Sequence, residues 1–138
     1  MKRTGLILFT VLAAMISTAL PVYGQGRETK FNIRFTFNVG NRVLPPGTYG
    51  VERVFEEWLM VRNLGTWDST LVSSSAVSPV PGDVPWRLVF HCYGKKCFLY
   101  QAWVGAVGAG RELIRSSQEI EVAQQAQPQM QYVEASLR

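Results

Sequence analysis

Phe31-Asn32-Ile33-Arg34-Phe35-Thr36-Phe37-Asn38-Val39 is the stretch on which the fold turns: all five odd positions are apolar and all four even ones polar. A period of two predicts a half-buried β-strand, with one face to a core and one to water. Gly40-Asn41 then turns the chain, and Pro45-Pro46-Gly47 joins a fixed φ to a residue free to take positive φ, as a type II turn requires. Thr48 to Phe55 reads as a second strand with Tyr49, Val51 and Phe55 on one side, although Arg53 on that side breaks strict alternation.

Leu59-Met60-Val61-Arg62 makes a third run, and Thr70-Leu71-Val72 continuing into Ser73-Ser74-Ser75-Ala76-Val77 a weaker fourth. Ser78 to Pro85 holds three prolines and a glycine, the composition of a surface loop. Arg87 to Tyr93 and Lys96 to Val104 are again β-rich, and the Gly94-Lys95 between them suits a type II′ hairpin turn, whose first central residue needs positive φ. Five or six strands within about 75 residues predict a mainly β fold, an antiparallel β-sandwich or small β-barrel. After Gly110 the alternation stops. Ser116-Ser117-Gln118-Glu119 is a capping box, so one C-terminal helix is expected over residues 116–127, ended by Pro128. The expected organisation is an antiparallel β domain over residues 25–115, that helix, and a mobile Gln-rich tail over residues 128–138.

Residues 1–24 read as a signal peptide. Lys2 and Arg3 precede an apolar run from Gly5 to Leu20 broken only by Thr10, Ser17 and Thr18, and Val22-Tyr23-Gly24 offers a cleavage site before Gln25. A membrane anchor fits less well, because the run falls short of about 20 apolar residues and Pro21 follows at once. No cysteine near the cleavage point could take a lipid, and the Leu137-Arg138 terminus lacks the aromatic of an outer-membrane barrel. A secreted or periplasmic location follows, with no stable membrane insertion after cleavage.

Composition narrows the function. Of the 138 residues 47% are hydrophobic, 12% aromatic and only 17% charged, which excludes wholesale disorder and coiled coil. Without Lys2 and Arg3, 12 basic residues stand against 10 acidic ones. A mature charge of +2 calls for no nucleic-acid partner. The single histidine, His91, excludes most hydrolytic machinery.

With Gly94 and Lys95 as the central turn residues, Cys92 falls opposite Cys97 at a non-hydrogen-bonded site, where side chains approach most closely. Export puts that pair in an oxidising compartment, so a Cys92 to Cys97 disulfide is expected. A redox dithiol is disfavoured, since the spacing is C-x4-C and no helix N-terminus is in view to lower a thiol pKa. His91 and Cys92 are strand neighbours and point to opposite faces, which excludes a local thiol-protease pair. A serine triad lacks a G-x-S-x-G elbow, and a zinc site lacks ligands. His91 is expected to be a half-exposed strand residue. Glu52, Glu56 and Glu57 before Trp58 could suggest a glycosidase but read more simply as solvated turn residues. Gly105, Gly108 and Gly110 lack the Lys-Ser or Lys-Thr of a phosphate loop. Neither a catalytic residue, a metal site nor a cofactor is expected. Of the four tryptophans, Trp103 reads as core, whereas Trp67 and Trp86 at loop edges are the candidate ligand-binding residues.

Phe35-Thr36-Phe37, Val39-Gly40-Asn41, Leu44-Pro45-Pro46-Gly47-Thr48-Tyr49 and Val51 resemble the opening of a group of small secreted proteins common in acidobacterial genomes. Val89-Phe90, Tyr93-Gly94, Phe98-Leu99, Gln101, Trp103, Gly110-Arg111-Glu112-Leu113, Ser116 and Glu119 match its second half in order. The resemblance covers residues 31 to about 121. It implies export and a β-rich architecture, and it transfers no catalytic residue, because that group has no known function. The chain departs from its pattern at Arg34 and Pro46, and at Cys92 and Cys97, which suggests a disulfide private to this chain.

Two expectations for function follow. One is a non-catalytic exported envelope or extracellular binding or structural module, engaging a glycan, a peptide or an envelope protein through loops and exposed aromatics. The alternative is a carrier of a small apolar ligand in an interior β-barrel pocket lined by the Phe31 to Val39 face. Exported protein should begin at Gln25; N-terminal sequencing that returns Met1 would contradict the signal assignment.

Overall fold

A computed structural model describes residues 28–77, 86–104 and 110–136, so the expected signal segment and the proline-rich loop lie outside the described residues. Among them the chain forms β1 (Thr29–Ile33), β2 (Phe37–Val39), β3 (Arg42–Leu44), β4 (Gly47–Arg53), β5 (Trp58–Asn63), β6 (Ser69–Val77), β7 (Arg87–Tyr93), β8 (Lys96–Trp103), β9 (Gly110–Leu113), α1 (Ser117–Ala123) and β10 (Gln129–Glu134). The fold is mainly β with one C-terminal helix, as expected.

The founding run is not one strand. Its facing is as read: Phe31, Ile33, Phe37 and Val39 are each no more than 1% exposed. Its partners change midway, since β1 pairs with β4 whereas β2 pairs with β3 and, in parallel, with β8. Arg34 to Thr36 carry the chain between the two layers. Alternation reports which side a residue faces and not which strand lies beside it, so the crossing left no trace in the pattern. The parallel β2 to β8 pairing also makes the sheet mixed, where an antiparallel one was expected.

One layer runs β1-β4-β5-β6 and the other contains β10-β7-β8. β7 takes one edge of β8, and β2 and β9 divide the other edge between Cys97-Phe98 and Gln101 to Trp103. β6 joins the layers, its first half pairing with β5 and its second half with β9. The sheet does not close into a barrel. Two seams are bridged instead. Ser136 N–H donates to the Lys30 carbonyl at 2.8 Å, and the Arg42 guanidinium of β3 donates to the Ser69 carbonyl and Thr70 Oγ1 at the start of β6.

Both tight hairpins carry glycine where positive φ is needed. Gly40 (φ 58°) opens the β2–β3 turn, and Gly94 (φ 63°) opens the β7–β8 turn in the manner of type II′. Gly47 does not form the expected type II turn; it begins β4 opposite Ile33. Gly110 serves packing, because a Cβ there would lie 2.7 Å from the Trp103 ring.

The Gln-rich segment differs most from expectation. Residues 129–134 are the edge strand β10, paired with β7 from Gln129 opposite Cys92 to Glu134 opposite Arg87. Backbone pairing decides this, and a run of Gln and Met shows little of it. The helix is also shorter than expected, ending at Ala123, while Ser116 caps it by accepting from Glu119 N–H at 3.2 Å.

β7 is buried on both faces. Leu88, Phe90 and Cys92 face the core, whereas Val89 and His91 face the opposite side. His91 is therefore not half-exposed. It is 4% exposed, its Nδ1 lies 3.1 Å from Glu119 Oε1, and its ring stacks on Tyr100. Glu119, also the capping-box glutamate, is 3% exposed. With Glu119 as carboxylate, Nδ1 carries the proton and donates. Removing that acceptor leaves a buried donor unpaired, so Glu119→Ala should lower stability by about 2–3 kcal/mol. Glu119→Gln, which keeps an acceptor, should cost less, and denaturant titration of both variants measures the difference.

Candidate functional site

Among the described residues a cluster of aromatic rings occupies the core. Phe37 meets Tyr49, Phe90 and Phe35 edge to face at centroid distances of 5.0, 5.5 and 6.5 Å, and Phe35 meets Phe90 at 5.0 Å. Phe35, Phe37 and Tyr49, the rings that an interior carrier would use as lining, pack on one another.

Cys92 and Cys97 are disulfide-bonded, as expected from the register. The bond fits an oxidising compartment. It closes a loop of five residues' separation and so stabilises by only about 2 kcal/mol in the chain-entropy account. Its sulfurs lie on the core side, away from His91, so thiol and imidazole do not meet.

From β7 through β8, β9 and β6 to β5 every neighbour is antiparallel, so β7 and β5 run in the same direction. The β5–β6 and β7–β8 turns therefore share one end of the sandwich, and the start of β7 lies at the other. Trp67 and Trp86 fall at opposite ends and cannot form one platform. Trp86 is 45% exposed and its carbonyl accepts from Ala135 N–H. Beside it the Arg87 guanidinium lies 4.9 Å from the Tyr132 ring centroid. Trp103 is core on the face opposite Ala102, as read from its strand.

Trp67 occupies an unusual position. It is 67% exposed and has φ of 66°, the one non-glycine residue with positive φ among those described. A side chain in that region costs about 1–2 kcal/mol relative to glycine. The turn is held by Asn63, whose Oδ1 accepts from Gly65 and Thr66 N–H and whose Nδ2 donates to the Tyr49 hydroxyl. Trp67 N–H donates to the Asn63 carbonyl at 2.7 Å, and the Arg62 guanidinium lies 5.9 Å from the indole centroid. The ring is thus presented to solvent by a turn anchored on a core tyrosine.

At the same end lies a trough of about 590 Å³ between the β2–β3 hairpin, the β7–β8 turn and α1. Thr36, Asn38, Val43, Phe98 and the adjacent Lys95 and Lys96 form one wall and floor; Gln118, Glu121, Val122 and Gln125 form the other wall. These last four recur at the spacing of one helical face. None was read from the sequence as a site residue, Gln118 appearing only within the capping box, since solvent-facing side chains carry no local signal of what they oppose. Asn38 looked like a water-facing residue and is instead 8% exposed.

Beneath α1 sits a second polar cluster. The Tyr93 hydroxyl is buried without a hydrogen-bond partner among the described residues, and burial pushes its pKa up. A bond to Glu112, then burial, pushes the Tyr100 hydroxyl up as well. Arg115 Nε approaches Glu119 Oε2 at 3.8 Å. Glu119 is buried within the cluster, whereas Arg115 reaches solvent. No group of three His, Cys, Asp or Glu suited to a metal occurs among the described residues.

A tyrosine whose folded pKa is raised contributes stability that is fully present below the unfolded value of 10.0 and is lost as pH rises through the folded value. Thermal melts should therefore fall above pH 10, and Tyr100→Phe should flatten that fall.

Comparison with protein-family models, curated proteins and solved structures returns no match for the chain.

Proposed function

We propose that the mature chain is an exported, non-catalytic binding module, secreted or periplasmic, that engages a glycan, a peptide or an envelope protein at the end of the sandwich bearing the β5–β6 turn. The carrying observation is Trp67. A turn with positive φ is most stable with glycine, and an indole left in water gains nothing from burial. Here a large apolar ring stands in that conformation, 67% exposed, on a turn tied to Asn63 and Tyr49. Strain kept in an otherwise well-satisfied turn marks a contact surface.

A rigid aromatic face with a guanidinium beside it suits stacking on a sugar ring or a planar group. Trp86 at the opposite end is a separate contact and belongs to a different partner or to none. Export supports the reading through the signal segment and through a disulfide that fits an oxidising compartment.

The test separates binding from folding. Trp67→Gly removes a left-handed penalty of about 1–2 kcal/mol and loses a cation–π contact of about 0.5 kcal/mol, so the melting temperature should hold or rise. Binding to whichever ligands a glycan and peptide array returns for residues 25–138 should weaken by about 1–3 kcal/mol. Array binding unchanged by the substitution would remove Trp67 from the contact surface.

A further inference from the structure

We propose that the trough beside α1 is a subsite for a neutral oligosaccharide. The inference rests on the binding-module reading and adds a second contact at the same end of the molecule.

Three features of the lining point to this chemistry. The first is its polarity: the lining combines Asn38, Gln118, Gln125 and Thr36 with the apolar Val43, Phe98 and Val122. Amides both donate and accept, which matches hydroxyl groups that also do both, and the apolar side chains match the C–H face of a sugar ring. The second is charge. Lys95 and Lys96 on the strand side and Glu121 on α1 give the lining charges of both signs, so it is complementary throughout to neither a polyanion nor a polycation. An uncharged chain meets repulsion from neither sign.

The third feature is Asn38. It is 8% exposed, its Nδ2 donates to the Cys97 carbonyl at 3.1 Å, and the residue lines the trough. An amide anchored through its nitrogen has its oxygen left to accept from a ligand hydroxyl at a fixed place in the lining. A peptide strand is a poorer fit. It would need a free sheet edge, and on this wall β2 is paired with β3 on one side and β8 on the other, while the outer side of β3 is bridged to β6 by Arg42.

The experiment titrates residues 25–138 by calorimetry with cellohexaose, mannohexaose and chitohexaose, and with hexagalacturonate as a charged control. At least one neutral chain should bind with millimolar or tighter affinity, at least tenfold more tightly than the control, and salt should leave that affinity unchanged. Gln118→Ala with Gln125→Ala alters two exposed side chains, so the melting temperature should not move while binding weakens at least tenfold. If no neutral chain binds, or if the double variant binds as well as the parent, the trough assignment is wrong. Binding lost with Trp67→Gly but retained by the double variant would leave the binding module standing and remove the trough from it. Binding lost with the double variant but retained by Trp67→Gly would uphold the trough and overturn the Trp67 platform.

Discussion

A buried strand cannot leave half an edge without hydrogen-bond partners, and β8 meets that constraint by dividing one edge between two short strands. β2 covers Cys97 and Phe98, and β9 covers Gln101 to Trp103, while β7 takes the whole of the opposite edge. Most of the architecture follows. Because β2 must reach β8, the Phe31 to Val39 run leaves β4 and crosses between layers. Because β9 holds only the far half of β8, β6 bends its second half toward it and so belongs to both layers. The β2–β3 hairpin fills the remaining space, and Arg42 closes its free side onto β6 through two hydrogen bonds.

The same arrangement explains how a polar residue, His91, comes to be buried on the outer face of β7. Core residues occupy its inner face, so whatever covers the outer face must satisfy the side chains there. α1 does this with Glu119, which serves two roles at once: its backbone N–H takes the Ser116 cap and its carboxylate takes His91. The capping box and the lone histidine are thereby parts of one interaction. β10 then adds an edge strand beyond β7, and its inner-face Gln129 and Gln131 remain exposed because the sheet stays open at that seam. A polar composition there is what an unclosed edge requires.

Exposed features lie at both ends of the strands. One end carries the Trp67 turn and the amide-lined trough, and the other carries Trp86 and Tyr132 beside Arg87. The interior between them is packed with aromatic rings in edge-to-face contact. The one imidazole is held in a buried contact with the helix.

Local chemistry made much of this legible. Alternation in residues 31–39 assigned the core face, Gly94-Lys95 assigned the hairpin and through its register the Cys92 to Cys97 bond, and Ser116 with Glu119 assigned the start of the helix. Each depends on residues a few positions apart, whose geometry short-range sterics dictate. Partner choice does not. The break at Arg34 to Thr36, the parallel pairing of β2, the recruitment of Gln129 to Glu134 as a strand, the meeting of His91 with Glu119 and the facing of Asn38 toward Gln118 and Gln125 join segments distant in the chain. Periodicity gives a residue's side and not its neighbour, so these contacts were decided by tertiary packing alone.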